Sequence, residues 1–326
     1  MSRTASTAST ASTTSATSST RTTSTLRATR TAAAVLTASA LVAGLAACSS
    51  PAAGSDEATS DDTAAATETI TIGVVGASDD TWRLFEEKAA DAGYDVEIVD
   101  FTEYSLPNPA LSQEQLDLNQ FQHILYLAQY NVEAGEDLVP VGATAIYPLG
   151  LYSTQYESVE AIPDGSEVAV PNDPTNLARA LLVLQDAGLI ALRDGGSAFS
   201  TEADVVAEDS RVTVTPVDAQ QTALALDSVA ASIINNDFLE DAGIDPADAL
   251  YQDDAEAEGA RPYINIWAAR AEDKDDPTLL ALVEIYEDQE IQDALLDASG
   301  GTAVLADQTV DELQGYLADV EADARG

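Results

Sequence analysis

Arg179 is a charged residue in an apolar stretch of a chain that has few basic residues. The stretch reads VPNDPTNLARALL from Val170, and it predicts a helix that begins at Pro174 with the Asp173 side chain as its cap. Asn176 and Arg179 are three residues apart and share one face of that helix. The free N–H groups and the positive dipole end of a helix start attract anions, and a guanidinium adds to that attraction. The pattern predicts a carboxylate site, with an ion pair on a solvated face as the alternative.

Polar and aromatic side chains also follow the other predicted strands. Tyr104 lies after VEIVDF, Gln122 and His123 lie after LDLN, and Asn235 and Asn236 lie after ASII. In open α/β sheets ligands bind beyond the carboxyl ends of the strands, so these side chains should meet at one cleft. Amides, aromatic rings and a guanidinium together suit a zwitterion with an apolar tail, because arginine holds a carboxylate and amide carbonyls hold an ammonium.

Alternating strand and helix patterns predict the fold that positions these side chains. TITIGVV is alternating and β-branched, a helical pattern then ends at Gly93, and YDVEIVDF is again a strand, so the three form a βαβ unit. Similar signals recur along the chain and predict an α/β fold with mainly parallel sheet. Two extended aromatic stretches, residues 145–153 and 261–270, indicate that the chain leaves one lobe, builds a second and returns. The predicted domains are residues 69–150 for the first part of lobe I, 151–262 for lobe II, and 263–326 for the return and the C-terminal helices that complete lobe I.

The charge balance excludes one class of partner. Among 326 residues there are 13 Lys and Arg against 57 Asp and Glu, and the formal net charge is -44. Such a chain repels polyanions, so we expect no nucleic-acid partner. A zwitterion has no net charge and feels little of this repulsion, which agrees with the ligand class above.

The N-terminal region predicts export and lipid attachment. The first thirty residues are nearly all Ser, Thr, Ala and Arg, and an apolar run then ends in the sequence LAAC. A basic leader, a short apolar core and small residues before a cut are typical of a signal peptide, here residues 1–47, with a short membrane anchor as the alternative. LAAC resembles the lipobox of bacterial lipoproteins, so the only cysteine, Cys48, is predicted to carry the lipid. Residues 48–68 are predicted to be a lipidated flexible tether.

Several motifs together resemble one family. FTEYSLPN, LDLNQFQHILYL, IYPLGLYS, VPNDPTNLARAL, INN and PYINI, in this order and at these spacings, are similar to the methionine-binding lipoproteins of bacterial methionine ABC importers. The resemblance runs from about Thr69 to the C-terminal helices. It implies a two-lobed receptor of the periplasmic-binding-protein type (type II-like), lipid-anchored at the extracytoplasmic face of the cell membrane. It also implies a monomer that delivers L- or D-methionine to a permease with a cytoplasmic ATPase.

The resemblance assigns roles to particular residues. Arg179 would hold the ligand carboxylate, Asn176 and Asn235 would bind its polar end, and three aromatic side chains would wall the thioether pocket. The ligand-binding residues expected in full are Tyr104, Asn119, Gln122, His123, Tyr126, Tyr147, Asn172, Asn176, Arg179, Asn235 and Asn236, with Tyr104, His123 and Tyr126 as the wall. The segment GASDDTW departs from many relatives, which have a proline and a histidine after the first strand, and this leaves that side of the pocket undefined.

Other interpretations of the same residues stay open at this point. Tyr104 and Tyr126 could be core aromatics, and Asn235-Asn236 could be a turn or a helix cap. An exported hydrolase would need His123, the only histidine, as its base, and no G-x-S-x-G elbow accompanies it. The acidic runs DDAEAEG and EDKDDP lack the oxygen spacing of a calcium loop, so no metal and no cofactor are predicted. An anchored structural protein and a receptor for another small amino acid or a dipeptide are the remaining alternatives.

Overall fold

The structure, a computed structural model, describes residues 69–77 and 80–325. The predicted signal peptide, Cys48 and the tether lie outside the described residues. The strands are β1 (Thr69–Val75), β2 (Asp95–Phe101), β3 (Leu118–His123), β4 (Val139–Ala143), β5 (Ala145–Ile146), β6 (Gly150–Tyr152), β7 (Glu167–Pro171), β8 (Thr213–Val217), β9 (Ala231–Ile234), β10 (Tyr251–Gln252), β11 (Asn265–Ala269) and β12 (Val304–Leu305). The α-helices are α1 (Asp80–Asp91), α2 (Pro107–Ser112), α3 (Ile124–Ala134), α4 (Pro174–Asp186), α5 (Thr222–Ala225), α6 (Pro277–Tyr286), α7 (Gln289–Ala298) and α8 (Val310–Arg325).

Two five-stranded sheets form the framework of a two-lobed α/β fold. The first sheet has the strand order β2-β1-β3-β11-β4, and the second has the order β10-β6-β9-β7-β8. In the first sheet β1 pairs with β2 and β3 in parallel, with Ile72 opposite Ile98 and Leu118. In the second sheet β7 pairs with β8 and β9 in parallel. Read from opposite ends, the two sheets have the same arrangement of strands.

Each sheet also contains one reversed strand, which refines the prediction of mainly parallel sheet. Strand β11 pairs antiparallel with both β3 and β4, and β6 pairs antiparallel with both β9 and β10. These are the strands that the chain enters from the other lobe. Because such a strand begins at the cleft, where the parallel strands end, it must run in the opposite direction.

The predicted helix start at Pro174 is confirmed. Asp173 is the cap of α4, and one of its carboxylate oxygens accepts a hydrogen bond from the backbone N–H of Asn176. The buried face of α4 includes Leu177, Leu181 and Leu184, which pack in the apolar core of the second lobe. The helix start is therefore fixed to the sheet, and with it the position of every side chain in its first turns.

An aromatic cluster forms part of the first core. Trp267 on β11 is fully buried, and its ring centroid lies 5.9 Å from that of Trp82, 5.7 Å from Phe85 and 5.2 Å from Tyr286. The indole Nε1 of Trp267 has no hydrogen-bond partner among the described residues. This cluster joins α1 and α6 to the sheet that carries β11.

One predicted stretch has a different local structure. Residues 261–270 were expected to be extended throughout, but Arg261, Pro262 and Tyr263 belong to a turn of 3₁₀-helix, Glu258–Tyr263, and the strand begins only at Asn265. Proline fixes φ near the helical value and has no N–H to give to a sheet, which favours the turn over a strand.

The basic side chains of the described residues are all in ion pairs with acidic ones. The nine are Arg83, Lys88, Arg179, Arg193, Arg211, Arg261, Arg270, Lys274 and Arg325. Most of these pairs are exposed at the surface, where an ion pair contributes little to stability. The pair of Arg179 differs, because its side chain is only 5% exposed.

Candidate ligand-binding site

A cavity lies between the two sheets, at the ends of the strands where the sequence predicts a cleft. Its volume is about 440 Å³ when the open space at its mouth is counted. Nine of the predicted ligand-binding residues line it: Tyr104, Gln122, His123, Tyr126, Tyr147, Asn176, Arg179, Asn235 and Asn236. The elements that carry these residues come from both lobes, so the cavity is completed only when both are in place.

Arg179 lines the cavity and is held on three sides. Its Nε donates to Oδ2 of Asp253 at 2.7 Å, and its Nη2 donates to Oδ1 of Asp253 at 3.1 Å and to the carbonyl oxygen of Tyr147 at 2.9 Å. The guanidinium carbon lies 4.2 Å from the ring centroid of Tyr263, within the range of a cation–π contact. Among the described residues Nη1 has no hydrogen-bond partner, so it is the nitrogen left to meet a ligand.

The ion pair of Arg179 combines features of both sequence interpretations. The alternative of an acidic partner holds, because Asp253 binds the guanidinium through two nitrogens. The pair is not on a solvated face, because Arg179 is buried and lies at the cavity. Asp253 is itself fixed by the backbone N–H of Leu149, which donates to its Oδ1 at 2.8 Å. The protein's own contacts therefore hold the arginine in one orientation.

His123 joins the end of β3 to the start of α3. Its Nδ1 accepts a hydrogen bond from the backbone N–H of Tyr126 at 3.1 Å, which caps the helix. Burial, with the nearby charge of Arg179 as a smaller cause, lowers the pKa of His123 to about 3. The ring is therefore neutral at physiological pH with its single proton on Nε2, and this proton faces Oδ1 of Asn176 at 3.3 Å.

Because the chain contains one histidine, this protonation state has a direct test. We expect the His123 ring signals in NMR spectra to show no titration between pH 8 and about 5, and the ¹⁵N shifts to indicate a proton on Nε2. An exposed imidazole would titrate near its ordinary pKa of about 6.5. A titration step near that value would contradict the buried, neutral ring.

Two asparagines and an aspartate form a chain of hydrogen bonds beside the cavity. The Asn176 Nδ2 lies 3.1 Å and 3.2 Å from the two carboxylate oxygens of Asp173, and Nδ2 of Asn235 donates to Oδ1 of Asn176 at 3.0 Å. Oδ1 of Asn235 is buried and has no partner among the described residues. Burial raises the pKa of Asp173, and hydrogen bonds from Asn176 and Thr175 act in the opposite direction.

Aromatic rings form the apolar wall of the cavity. The rings of Tyr104, Phe121 and Tyr126 contact one another with centroids 5.7 to 6.1 Å apart. The Tyr126 hydroxyl donates to the backbone oxygen of Tyr104 at 3.0 Å, and the Tyr104 hydroxyl donates to Asp237 at 2.6 Å. Burial raises the pKa of both phenols, so both stay protonated donors. All three residues line the cavity, and an aromatic wall suits an unbranched apolar tail.

Two predicted ligand-binding residues do not line this cavity. Asn119 is fully buried in a cluster of amides, where its Nδ2 donates to Asn108 at 2.9 Å and its Oδ1 accepts from Gln122 at 2.9 Å. Its side chain therefore supports Gln122 and does not reach the cavity. Asn172 is exposed, because it follows the last residue of β7 and its amide donates to Asp218, just beyond the neighbouring strand, at 2.6 Å.

Several residues of the site are absent from the set of ligand-binding residues expected from the sequence. Phe121, Asp237 and Asn265 line the cavity, and Asp253 and Tyr263 hold the arginine. The sequence did point to the three cavity residues. Phe121 and Asp237 adjoin predicted site residues, and Asn265 belongs to the motif PYINI. Nothing in the sequence pointed to Asp253, because it is one acid in an acidic run and its partner lies 74 residues away in the chain.

The fold and the site define a class of protein. Two lobes of the same strand order, with a cavity of convergent polar groups between them, are the architecture of extracytoplasmic substrate-binding proteins, and this class is not enzymatic. The chain belongs to the NlpA lipoprotein family, whose family model matches residues 70–306. Among the described residues no helix could cross a bilayer, and no cluster of three potential metal-binding side chains is found.

Named relatives agree with this assignment. The chain is 39% identical to the D-methionine-binding lipoprotein MetQ of Escherichia coli K12 over 240 residues, which are 72% of this chain and 87% of the relative. It superposes on the substrate-binding protein of a methionine transporter from Streptococcus pneumoniae with a TM-score of 0.68 and 35% identity, over 73% and 95% of the two chains. A nutrient-binding protein from Burkholderia cenocepacia bound to methionine gives a TM-score of 0.67 at 32% identity, over 73% and 100% of the two chains.

Proposed function

We propose that this protein is the substrate-binding lipoprotein of an ABC importer and that it binds methionine in the cavity between its lobes. The observation that carries the proposal is the set of groups in that cavity. Nη1 of Arg179 and Oδ1 of Asn235 are both without a partner among the described residues, and these two residues line the cavity together with an aromatic wall. These are the three contacts that an amino acid with an apolar side chain requires. The relatives named for methionine supply the identity of that side chain.

In the proposed complex each part of methionine has its own partner. The carboxylate lies against Nη1 of Arg179, and the ammonium donates to Oδ1 of Asn235. The thioether lies among Tyr104, Phe121 and Tyr126, where sulfur makes favourable contacts with aromatic rings. The ligand brings one charge of each sign, so it matches a guanidinium that is already neutralised by Asp253. A simple anion would lack the ammonium contact.

The proposal also covers the attachment of the protein to the membrane, its lobes and its transporter partners. The signal peptide would be residues 1–47, and Cys48 would carry the lipid that holds the protein at the extracytoplasmic face of the cell membrane. Residues 48–68 would be the tether, residues 69–150 and 263–326 would form lobe I, and residues 151–262 would form lobe II. The protein would act as a monomer that delivers its ligand to a permease driven by a cytoplasmic ATPase.

The lipid attachment predicts a simple outcome. Labelled fatty acid should enter the wild-type protein in cells and should not enter the Cys48→Ala protein, because Cys48 is the only thiol of the chain. Label that remains in the alanine variant would disprove the attachment at Cys48.

The binding proposal is tested with the soluble form that begins after Cys48. Its thermal midpoint is measured against each amino acid, both enantiomers of methionine and a set of methionine-containing dipeptides. We expect methionine to raise the midpoint most, because a ligand at about a hundred times its Kd stabilises the folded state by about 2.7 kcal/mol. A dipeptide or another amino acid that gives the larger shift would change the ligand while keeping the class. A midpoint unchanged by every compound would contradict the proposal.

A further inference from the structure

Two helices of this protein begin with the same three residues. Helix α4 follows Asp173 in the sequence Asp-Pro-Thr-Asn, and α6 follows Asp276 in the sequence Asp-Pro-Thr-Leu. In both, the aspartate is the cap and proline is the first helical residue. Asp276 Oδ1 accepts from the backbone N–H groups of Thr278 at 2.7 Å and of Leu279 at 3.3 Å. Capping alone is therefore enough to explain an aspartate at this position.

Asp173 makes a contact that Asp276 cannot make. The fourth residue of its sequence is Asn176, and the side-chain Nδ2 of Asn176 faces both carboxylate oxygens, at 3.1 Å and 3.2 Å. The corresponding residue of α6 is Leu279, which has no polar group. Asp276 is exposed at the surface. Asn176, the partner of Asp173, is buried and lines the ligand cavity. The additional contact thus connects the helix cap to the site.

The contact fixes the direction of the Asn176 amide. An ionised carboxylate only accepts hydrogen bonds, so Asn176 must turn its NH₂ towards Asp173 and its oxygen away. That oxygen then accepts from Nε2 of His123 at 3.3 Å and from Nδ2 of Asn235 at 3.0 Å. Because Asn235 uses its NH₂ in this bond, its own oxygen is left buried without a partner among the described residues.

We propose that Asp173 is a positioning residue that makes the cavity select ligands with an ammonium group. Asp173 orients the amide of Asn176, and Asn176 in turn orients the amide of Asn235. As a result the oxygen of Asn235, and not its NH₂ group, is presented to the ligand. If the Asn176 amide were reversed, its NH₂ would oppose the NH₂ of Asn235, and Asn235 would have to turn its own donor to the ligand. This inference rests on the proposed amino-acid ligand and adds the origin of its selectivity.

The shared sequence supplies a matched pair of variants, Asp173→Ser and Asp276→Ser. Serine caps a helix about as well as aspartate, so both variants keep the helix start. Serine has a single side-chain oxygen and no charge, so it cannot hold the Asn176 amide as a carboxylate does. Calorimetry then gives the Kd of methionine and of its desamino analogue, in which hydrogen replaces the ammonium group, for each protein.

We expect Asp173→Ser to weaken methionine binding by about ten- to a hundred-fold, the usual range for a hydrogen bond to a charged group. The desamino analogue, which makes no ammonium contact, should lose less than about threefold, and Asp276→Ser should leave both affinities unchanged. An equal loss for both compounds in Asp173→Ser would show a merely structural role and overturn the inference. Unchanged methionine affinity in that variant would overturn it as well.

A second measurement tests the inference without a ligand, in case the desamino analogue binds too weakly for its Kd to be measured. The Nε2 proton of His123 donates to the Asn176 oxygen, so its NMR signal reports the direction of that amide without any ligand. The signal should shift in Asp173→Ser and stay in place in Asp276→Ser, and an unshifted signal in Asp173→Ser would count against the inference. A wild-type protein that binds no methionine, with the signal shifted as expected, would refute the proposed function alone.

Discussion

Replacing Arg179 with alanine is expected to lower both the affinity for methionine and the stability of the fold. The loss of binding should be on the order of 2 to 5 kcal/mol, because the carboxylate loses its only guanidinium partner in a partly dry cavity. The free energy of unfolding should fall by about 2 to 4 kcal/mol, because Asp253 is left without the cation that it binds through two nitrogens. Calorimetry and urea unfolding measure the two effects separately. The sequence offered an ion pair only as the alternative to a carboxylate site, whereas in the structure Arg179 forms its ion pair with Asp253 and also lines the cavity.

A second variant separates the two roles of Arg179. In the double variant Arg179→Ala with Asp253→Ala no buried charge is left unpaired, so most of the lost stability should return while methionine binding stays weak. Arg179→Lys should also bind poorly, since an ammonium cannot contact Asp253 through two nitrogens and a ligand at the same time. Methionine affinity within about threefold of wild type in a folded Arg179→Ala protein, a loss of only ~0.7 kcal/mol, would mean that the ligand binds elsewhere.

The Trp267→Ala substitution should have the largest effect on folding alone. Trp267 is fully buried and contacts three other aromatic rings, so its removal leaves a large cavity in the first core. Truncations of this kind cost about 3 to 5 kcal/mol, which would be measured as a lower midpoint in urea unfolding.

Two controls make this result specific. Trp267→Phe keeps an aromatic ring and removes an Nε1 that has no partner among the described residues, so it should cost much less than the alanine. Leu224 is 69% exposed, and Leu224→Ala should change stability by no more than about 0.5 kcal/mol. If Trp267→Ala lowers the free energy of unfolding no more than Trp267→Phe does, the aromatic cluster does not stabilise the core.

The parts of the fold that the sequence predicted depend on neighbours in the chain. The βαβ unit from Thr69 is set by local periodicity, and the start of α4 is set by Asp173 and Pro174 within one turn. The expectation that site residues follow the ends of strands also depends on local sequence, because it needs only the direction of each strand. Tyr104, His123 and Asn235 could be found in this way without knowledge of the strand order.

The features that the sequence did not predict depend on contacts between distant segments. The reversed direction of β11 follows from where the chain re-enters the first lobe, and a strand pattern carries no information on direction. Asp253 reaches Arg179 only because β10 ends beside the cavity. Asn119 was expected in the site from the family resemblance, whereas its fully buried side chain donates to Asn108, a residue of another segment.

The complete pairing of the basic side chains has a consequence for the solution in which this protein works. With every cation of the described residues already engaged, the excess carboxylates can be neutralised only by counterions drawn from the solvent, and the compact state concentrates those carboxylates more than the unfolded chain does. The Debye length falls from about 10 Å at 0.1 M salt to about 3 Å at 1 M. The thermal midpoint should therefore rise steadily with sodium chloride over this range, and a midpoint that is flat or falls would show that carboxylate repulsion does not limit the stability of the fold.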